Sequence, residues 1–258
     1  MRYKTRSTIA HLDILLLTCN FLDDTKRCIE SLYSGDPDFA LTIVDNGSTD
    51  GTVKWLRMMS EKHNNITLDL QKENLGVVKG RNHAYAISRD ISPSTDYIMF
   101  IDNDQTLWGG WEVYLKYMEM GFDIVGSEAW QMDGRRMMPT RKCKMKTDVY
   151  NYVGCGGMMI KHHVIQDIGL FDERFSPMYF EDPDFCFRAY KAGYRIMWNR
   201  YGCEHHHSGN LLSKDDEIDR SAAFHKSHIK FVEKHAGTFP PELRIPPKSL
   251  MDKMAAGV

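Results

Sequence analysis

The chain has 258 residues, of which 42% are hydrophobic and 26% are charged, and its formal net charge is −2. This composition supports a sizeable hydrophobic core and excludes wholesale disorder. The near-neutral charge gives no overall basic field for duplex DNA or an anionic membrane. The apolar runs have the length of strands, well below the roughly 20 residues that span a bilayer.

The amino-terminal segment and the cysteines predict a cytoplasmic protein. Residues 1–6 are basic, but no apolar stretch follows them, so no secretory signal peptide is expected. The six cysteines are scattered and show no CxxC spacing. This pattern favours reduced thiols over a disulfide framework or a zinc site.

The first hundred residues alternate between apolar runs and segments with helical spacing. The predicted strands are Leu12–Thr18, Ala40–Val44, Ile66–Leu70 and Tyr97–Ile101. The predicted helices between them are Asp23–Tyr33, Val53–His63 and Val78–Arg89. Such alternation predicts a mostly parallel α/β sheet covered by helices on both faces. Ligands of such sheets bind beyond the carboxyl ends of the strands.

The second half of the chain is less regular. Its predicted elements are a helix over Trp111–Met120, a strand over Ile124–Ala129, a loop or hairpin over Met132–Asp148, a strand over Met158–Ile160, helices over His163–Ile168 and Pro183–Gly193, a strand over Ile196–Trp198 and a long polar helix over Ser213–Ala236. The proline-containing tail from Phe239 is expected to run over the surface.

We predict a single domain with a carboxyl-terminal extension. Residues 1–210 form the domain, with a nucleotide-binding half at about 10–105 and an acceptor half at about 106–210. Residues 211–258 form a helix and tail that pack on it.

Two acidic clusters carry the strongest functional signal. The apolar strand Tyr97–Ile101 runs into Asp102-Asn103-Asp104, and Glu181-Asp182-Pro183-Asp184 begins about eighty residues later. Carboxylates at a strand end are suitable ligands for Mg²⁺ or Mn²⁺, and such a cation commonly holds substrate phosphates. The second cluster offers a general base. The alternative is that these acids only cap loops and a helix N-terminus.

The ends of the other predicted strands are also polar. Asn20, Asp45 and Asn74 follow the first, second and third strands. Because the carboxyl ends of parallel strands meet at one edge of a sheet, these residues and the first acidic cluster should converge there.

The chain resembles the family 2 glycosyltransferases of the GT-A fold, especially the rhamnosyltransferase-like branch, from Asp13 to Gly209. The motifs that carry the resemblance are Thr18-Cys19-Asn20, the segment from Val44 to Thr52, Asn74-Leu75-Gly76 with Arg81-Asn82, Asp102-Asn103-Asp104, Gly156-Gly157, the segment from Phe180 to Asp184 with Arg188, and His205-His206-His207. The chain lacks the Gln-x-x-Arg-Trp signature of processive synthases. The resemblance implies an inverting, metal-dependent enzyme that transfers one sugar from a nucleoside-diphosphate sugar, with UDP the expected nucleotide, to an acceptor hydroxyl of unknown class.

The resemblance also implies roles for individual residues. Asp182 is the expected catalytic base, with Glu181 the next candidate. The expected Mn²⁺ or Mg²⁺ ligands are Asp102, Asp104 and a histidine on the face shared by His205 and His207, of which His207 is preferred. The residues expected to contact the nucleotide-sugar are Thr18, Asn20, Asp45, Asn74, Gly76, Arg81, Asp102, Asn103, Gly156 and Gly157.

Several of these residues have structural alternatives. Asp45 would cap its turn, Arg81 would lie on a helix surface, and Gly156-Gly157 would form a bulge. Asp50 is expected to be a helix cap, and Arg188 to brace the acidic cluster. For the whole chain, the competing functions are a catalytically silent carbohydrate-binding or assembly protein and a sugar-phosphate nucleotidyltransferase. The latter would carry a glycine-rich basic phosphate loop, which Thr18-Cys19-Asn20-Phe21 does not supply.

Overall fold

The structure is a computed structural model that describes residues 12–34, 38–108, 111–206 and 219–256. The strands are β1 (Leu12–Thr18), β2 (Ala40–Asp45), β3 (Ile66–Leu70), β4 (Tyr97–Asp102), β5 (Gln105–Leu107), β6 (Ile124–Gly126), β7 (Ala129–Asp133), β8 (Met138–Lys142), β9 (Tyr152–Val153), β10 (Met158–Lys161), β11 (Ile196–Trp198) and β12 (Cys203–His205). The helices are α1 (Leu22–Leu32), α2 (Thr52–Lys62), α3 (Val77–Ile91), α4 (Glu112–Glu119), α5 (His162–Ile168), α6 (Glu181–Lys191), α7 (Arg220–His235) and α8 (Lys248–Ala255).

The central sheet has seven strands in the order β11-β6-β10-β4-β1-β2-β3. Strands β1 to β4 pair in parallel, and β10 runs antiparallel between β4 and β6. The predicted mixed α/β fold with a mainly parallel sheet is therefore confirmed. The chain order reverses at β1, which lies between β2 and β4, and ligands of open α/β sheets bind at such a switch point.

Alternate side chains of β1 build two cores, one on each face of the sheet. Leu12, Ile14 and Leu16 pack with the α1 residues Cys28, Ile29 and Leu32, which were predicted to share one helix face. Leu15 and Leu17 point to the other face, where α3, α5, α6 and α7 contribute to the core. Because both faces are covered, the strand is apolar throughout rather than alternating, as expected for a central parallel strand.

The strand register aligns the polar strand ends at one edge. Thr18 pairs with Asp45, and Leu17 pairs with Asp102. The predicted convergence of the ends of β1, β2 and β4 is thus set by backbone pairing, before any side chain is considered.

The second half departs from the sequence prediction in three places. The predicted strand Ile124–Ala129 is split into β6 and β7, which belong to different sheets. The pair β5 and β12 was not predicted, because three-residue strands carry too little periodicity. The tail contains α8, and Leu243 pairs with Tyr150, so part of it is anchored by backbone hydrogen bonds.

Some predictions fall on residues that the structure does not describe. These are the predicted boundary at residue 210, the start of the helix predicted from Ser213, and His207. The described part of that helix is α7, which Asp219 caps by accepting a hydrogen bond from the Ala222 N–H. Within the described residues, no helix has the length and apolar character needed to cross a bilayer.

Candidate active site

A cleft of about 450 Å³ opens at the edge of the sheet where the polar strand ends meet. Its walls include Thr18 from β1, Asp102 from β4, Asn74 and Gly76 before α3, and the start of α6. The predicted site residues that line it are Thr18, Asn74, Gly76, Arg81, Asp102, Asn103, Asp104, Gly156, Glu181 and Asp182. The two acidic clusters, distant in sequence, therefore face the same cavity.

Arg81 joins the two clusters. Its side chain is 6% exposed, and Nη2 donates to both carboxylate oxygens of Asp102, at 2.8 and 2.9 Å. Nη1 donates to Oε1 of Glu181 at 3.2 Å and lies 3.9 Å from Oδ1 of Asp182. Helix α3 thus delivers a buried cation to acids from β4 and α6. The alternative that Arg81 is a helix-surface charge is wrong, and its predicted contact with the nucleotide-sugar stays a prediction.

The three acids around Arg81 outnumber its single positive charge. Burial raises the pKa of Glu181, although Arg81 opposes the shift. Burial and the neighbouring Glu181 carboxylate raise the pKa of Asp182 well above its usual value. Both effects favour the protonated forms. Asp182 is thereby a stronger base, once ionised, than a solvent-exposed aspartate.

Asp182 is partly exposed in the cleft. Its side chain is 26% exposed, whereas its Oδ1 is buried and has no hydrogen-bond partner among the described residues. A Cβ built on Gly154 would lie 3.9 Å from Oδ2 of Asp182, so this neighbour leaves room beside the carboxylate. Tyr179 and Phe180, just before α6, have positive φ values of 74° and 67°. Such conformations are strained for non-glycine residues and recur at functional sites.

A second polar chain runs through His205 on β12. Nε2 of His205 lies 2.8 Å from Oδ2 of Asp104, and Nδ1 lies 3.2 Å from Oε1 of Glu128, which also pairs with Lys142. Burial opposes the charged imidazolium, but the hydrogen bonds to Asp104 and Glu128 outweigh it and raise the pKa of His205 to about 10. His205 lines the cleft; His207, the preferred histidine, lies outside the described residues.

A divalent cation would bind Asp104 and His205 as a partial ligand set by displacing the proton on Nε2 of His205. Two neighbouring ligands of an octahedral cation, each about 2.1 Å from it, lie about 3 Å apart, close to the observed 2.8 Å. No group of three or more acidic, histidine or cysteine ligands is assembled within the described part of the chain. Substrate phosphates and water complete such sites in phosphate-handling enzymes. Asp102 is engaged by Arg81, and its role as a ligand stays a prediction.

Three of the residues predicted to contact the nucleotide do not line the cleft. Asp45 is fully buried and accepts hydrogen bonds from the N–H and hydroxyl of Ser48. Oδ1 of Asn20 accepts from the Thr49 N–H at 2.7 Å. Gly157 has a φ of +68° and, with Asp45 and Asn20, is absent from the cleft lining. These residues shape the loops around the cleft; their contact with a nucleotide stays a prediction.

Two other site residues are glycines because of close packing. A Cβ on Gly156 would lie 2.7 Å from Oδ2 of Asp102 and 2.6 Å from Nε2 of Gln105. Gly76 has a φ of +78°, and its Cβ would lie 2.8 Å from Pro177. The carbonyl oxygen of Pro177 also accepts hydrogen bonds from the N–H groups of Val77 and Val78. These two N–H groups at the start of α3 are therefore already bonded within the protein.

Two further acids make structural contacts, and one of them, Asp50, was expected to be a helix cap. Asp50 accepts hydrogen bonds from the N–H groups of Leu22 and Thr52, at the starts of α1 and α2. Asp184 is fully buried and contacts Arg188 on α6 and His235 on α7. It therefore holds these two helices together.

Sequence analysis missed Glu128, which lines the cleft and contacts His205. It was assigned to the interior of the strand Ile124–Ala129. The available signal was an acidic residue two positions after the apolar run Ile124–Gly126, similar to the pattern that identified Asp102. Because β6 runs parallel to β4, with β10 antiparallel to both, its carboxyl end reaches the same edge.

The chain belongs to glycosyl transferase family 2, whose sequence model matches residues 13–159. The glycosyltransferase AglE of Haloferax volcanii is 22% identical over 83% of this chain and 73% of its own length. Another matched relative is covered over only 26% of its length, so the chain spans a fraction of some of its relatives.

Solved structures share the GT-A glycosyltransferase fold. A mannosyltransferase of Pyrobaculum calidifontis, in complex with GDP-Man and Mn²⁺, superposes with a TM-score of 0.52 at 16% identity, over 73% of this chain and 54% of that one. GalNAc-T7, with UDP, GalNAc and Mn²⁺, gives a TM-score of 0.64 at 11% identity, over 88% of this chain and 48% of that one. At these identities the likeness establishes the fold.

Proposed function

We propose that the chain is a metal-dependent, inverting glycosyltransferase that moves a sugar from a nucleoside-diphosphate sugar to an acceptor hydroxyl. The observation that carries the proposal is the convergence of the partly exposed Asp182 side chain and the Asp104–His205 pair on one cleft. The family membership and the nucleotide ligands of the related structures support it.

The proposed reaction is a single displacement. The acceptor oxygen attacks the anomeric carbon of the donor sugar while Asp182 accepts the hydroxyl proton. The bond between that carbon and the diphosphate oxygen breaks, and its electron pair leaves with the diphosphate. Attack opposite the leaving group inverts the anomeric centre. A positioned base of this kind contributes about 10²–10⁴-fold to a rate, and the raised pKa of Asp182 suits it to the task.

Asp104 and His205 would hold the divalent cation, proposed to be Mn²⁺ or Mg²⁺. When bound, the cation would neutralise the charge that develops on the diphosphate. The protein's own contribution is to fix these ligands: Glu128 orients the far nitrogen of His205, a common arrangement for metal-binding histidines. Arg81 fixes Asp102 and Glu181 beside them.

The nucleotide is proposed to lie at the end of the cleft formed by Thr18, Asn46 and Asn74. Asn46 is 3% exposed, yet it lines the cleft, and its Oδ1 accepts the Leu75 N–H at 3.2 Å. UDP is proposed as the nucleotide, as in the GalNAc-T7 structure, while GDP-Man in the mannosyltransferase structure is the competing choice. A hexosyl or deoxyhexosyl donor, the rhamnosyltransferase-like branch and a cytoplasmic location remain part of the proposal.

Two other functions compete with this proposal. A catalytically silent carbohydrate-binding protein would not need a base with a raised pKa beside a metal-ligand pair, so the cleft favours an enzyme. A sugar-phosphate nucleotidyltransferase is disfavoured by the family to which the chain belongs.

Thermal unfolding with a panel of nucleoside diphosphates tests the proposal. UDP, GDP, dTDP, CDP and ADP are each added with and without Mn²⁺ or Mg²⁺, because a ligand that binds only the native state raises the unfolding midpoint. One diphosphate should stabilise the wild type only with metal, and Asp104→Ala should abolish the effect. Asp90→Ala, at an exposed aspartate of α3, is the matched control and should retain it. No metal-dependent shift with any nucleotide would refute the proposal.

A further inference from the structure

Part of the cleft lining is aromatic. The aromatic lining residues are Trp130 on β7, Tyr152 on β9, Tyr179 and Phe180 before α6, and Phe224 on α7. Trp130, Tyr179 and Phe224 are only partly buried against the core, so each leaves part of its ring accessible. Flat, partly exposed aromatic rings offer the apolar surface on which a sugar ring stacks.

Ring-to-ring packing fixes the position of this wall. The Phe224 ring lies 5.5 Å from the Tyr179 ring at an interplanar angle of 71°, and 5.1 Å from the Phe180 ring. Phe180 immediately precedes Glu181 and Asp182. The aromatic wall is thereby attached to the segment that carries the proposed base.

Arg220 places a positive charge in the cleft near Phe224. It is the first residue of α7, lines the cleft and lies one turn before Phe224, so the two side chains share a helix face. Within the described part of the chain its guanidinium makes no ion pair or hydrogen bond, and its Nε is buried without a partner. Both Nη groups of Arg81, the other arginine of the cleft, are engaged by Asp102 and Glu181, although its Nε is also buried without a partner.

A buried N–H donor without an acceptor is unfavourable and calls for an explanation. Guanidinium groups pair with carboxylates and phosphates through two parallel hydrogen bonds. A ligand with such an anion would pair with the Nη groups of Arg220 while its ring lies on the aromatic wall.

We propose that Trp130, Phe224 and Arg220 form an acceptor subsite for a sugar that carries an anionic group, either a carboxylate or a phosphate. The proposal rests on the proposed function, since it identifies the class of acceptor for the same transfer. The aromatic rings hold the acceptor ring beside Asp182, and Arg220 selects its charge.

Equilibrium binding tests the subsite without requiring turnover. The probes are p-nitrophenyl β-glucoside, p-nitrophenyl β-glucuronide and p-nitrophenyl β-glucoside 6-phosphate, which share the aglycone and the ring. They are titrated by calorimetry into the full chain with Mn²⁺ and the nucleoside diphosphate that stabilises it, or with Mn²⁺ alone if none does. At least one anionic glycoside should bind about 10-fold or more tightly than the neutral one, the size of a charge-assisted hydrogen bond. Preference for the glucuronide or for the phosphate distinguishes the two sources of the anion.

Variants assign the preference to Arg220. Arg220→Gln should bring the three affinities to within about 3-fold of one another, whereas Arg220→Lys should keep part of the anion preference. Lys226→Gln, at an exposed cation of the same helix, should keep all of it. Trp130→Ala should weaken all three probes together. Unfolding midpoints of each variant confirm that it is folded.

Equal binding of the three probes by the wild type, or an anion preference that survives in Arg220→Gln, would overturn the subsite. These results leave the nucleotide and metal panel unaffected, so failure of the subsite is separate from failure of the proposed function. If no nucleotide binds but the anion preference depends on Arg220, the result supports an anionic-sugar site and refutes the proposed sugar transfer.

Discussion

Loss of the Arg81 guanidinium should destabilise the fold, because the cation holds together acids from β4 and α6. In Arg81→Met, the carboxylates of Asp102 and Glu181 lose three hydrogen bonds of 2.8, 2.9 and 3.2 Å. Breaking a buried ion pair by removing one partner costs about 3–5 kcal/mol. For a chain of this size that corresponds to a fall in Tm of roughly 6–20 °C.

Urea unfolding at pH 8, followed by tryptophan fluorescence without added metal, measures the change in the free energy of unfolding. Lys26→Met is the matched control, since Lys26 pairs on the surface of α1 with Asp23, whose side chain is 90% exposed. An exposed ion pair of this kind contributes less than about 1 kcal/mol.

The electrostatic cause can be separated from lost packing. Glu181→Gln removes one of the unpaired acids, so the Arg81→Met change should cost less in that background. The pKa values of Glu181 and Asp182 are raised by burial. Above the unfolded carboxyl pKa of about 4, the native state therefore binds more protons than the unfolded state, and stability falls as pH rises through the raised values. The deficit of Arg81→Met should accordingly shrink between pH 8 and pH 5. A cost below about 1 kcal/mol, or one independent of pH and of Glu181, would refute this reasoning.

Three further predictions concern the same site and its support. Asp182→Asn should lower the transfer rate by about 10²–10⁴-fold while keeping metal-dependent nucleotide stabilisation; a rate near that of the wild type would exclude Asp182 as the base. Gly156→Ala should cost about 1–3 kcal/mol by overpacking against Asp102, whereas Gly134→Ala, with nothing within 3.7 Å of the added Cβ, should change the free energy of unfolding little. Asp184→Asn should destabilise by about 3–5 kcal/mol at pH 7. Burial opposes ionisation of Asp184, but His235 and the nearby cations outweigh it and lower its pKa. The stabilisation from ionised Asp184 is therefore present above the unfolded pKa of about 4 and is lost as pH falls through the lower folded value. The unfolding free energies of the variant and the wild type should converge in acid.

The local sequence pattern was sufficient to predict strands and helices that are long or have a clear end. The strands β1 to β4 and the helices between them follow from apolar runs and helical spacing, with bounds within a few residues of those observed. The polar residues after these strands identified the functional edge, because a parallel sheet brings its carboxyl ends together. Asp50 could also be recognised as a cap, since its contacts are within a few residues of its own turn and the neighbouring helix start.

Short elements and buried partners could not be predicted in the same way. Strands β5 and β12 have three residues each and exist because they pair across about a hundred residues of chain. Their pairing brings His205 to Asp104. Glu128 reaches the cleft because β6 ends at Gly126, two residues before it.

The sequence by itself determined the alternating fold, the edge of the sheet that carries the site and the acids that face it, because these depend on periodicity and on strand ends. Tertiary structure decided which partner each acid has. Asp102 and Glu181 share Arg81, Asp104 faces His205, Asp184 anchors α7, and Asp182 is partly exposed in the cleft. These pairings join residues 21 to 101 positions apart, and burial gives them their strength, so neither their geometry nor the resulting pKa values can be obtained from local sequence.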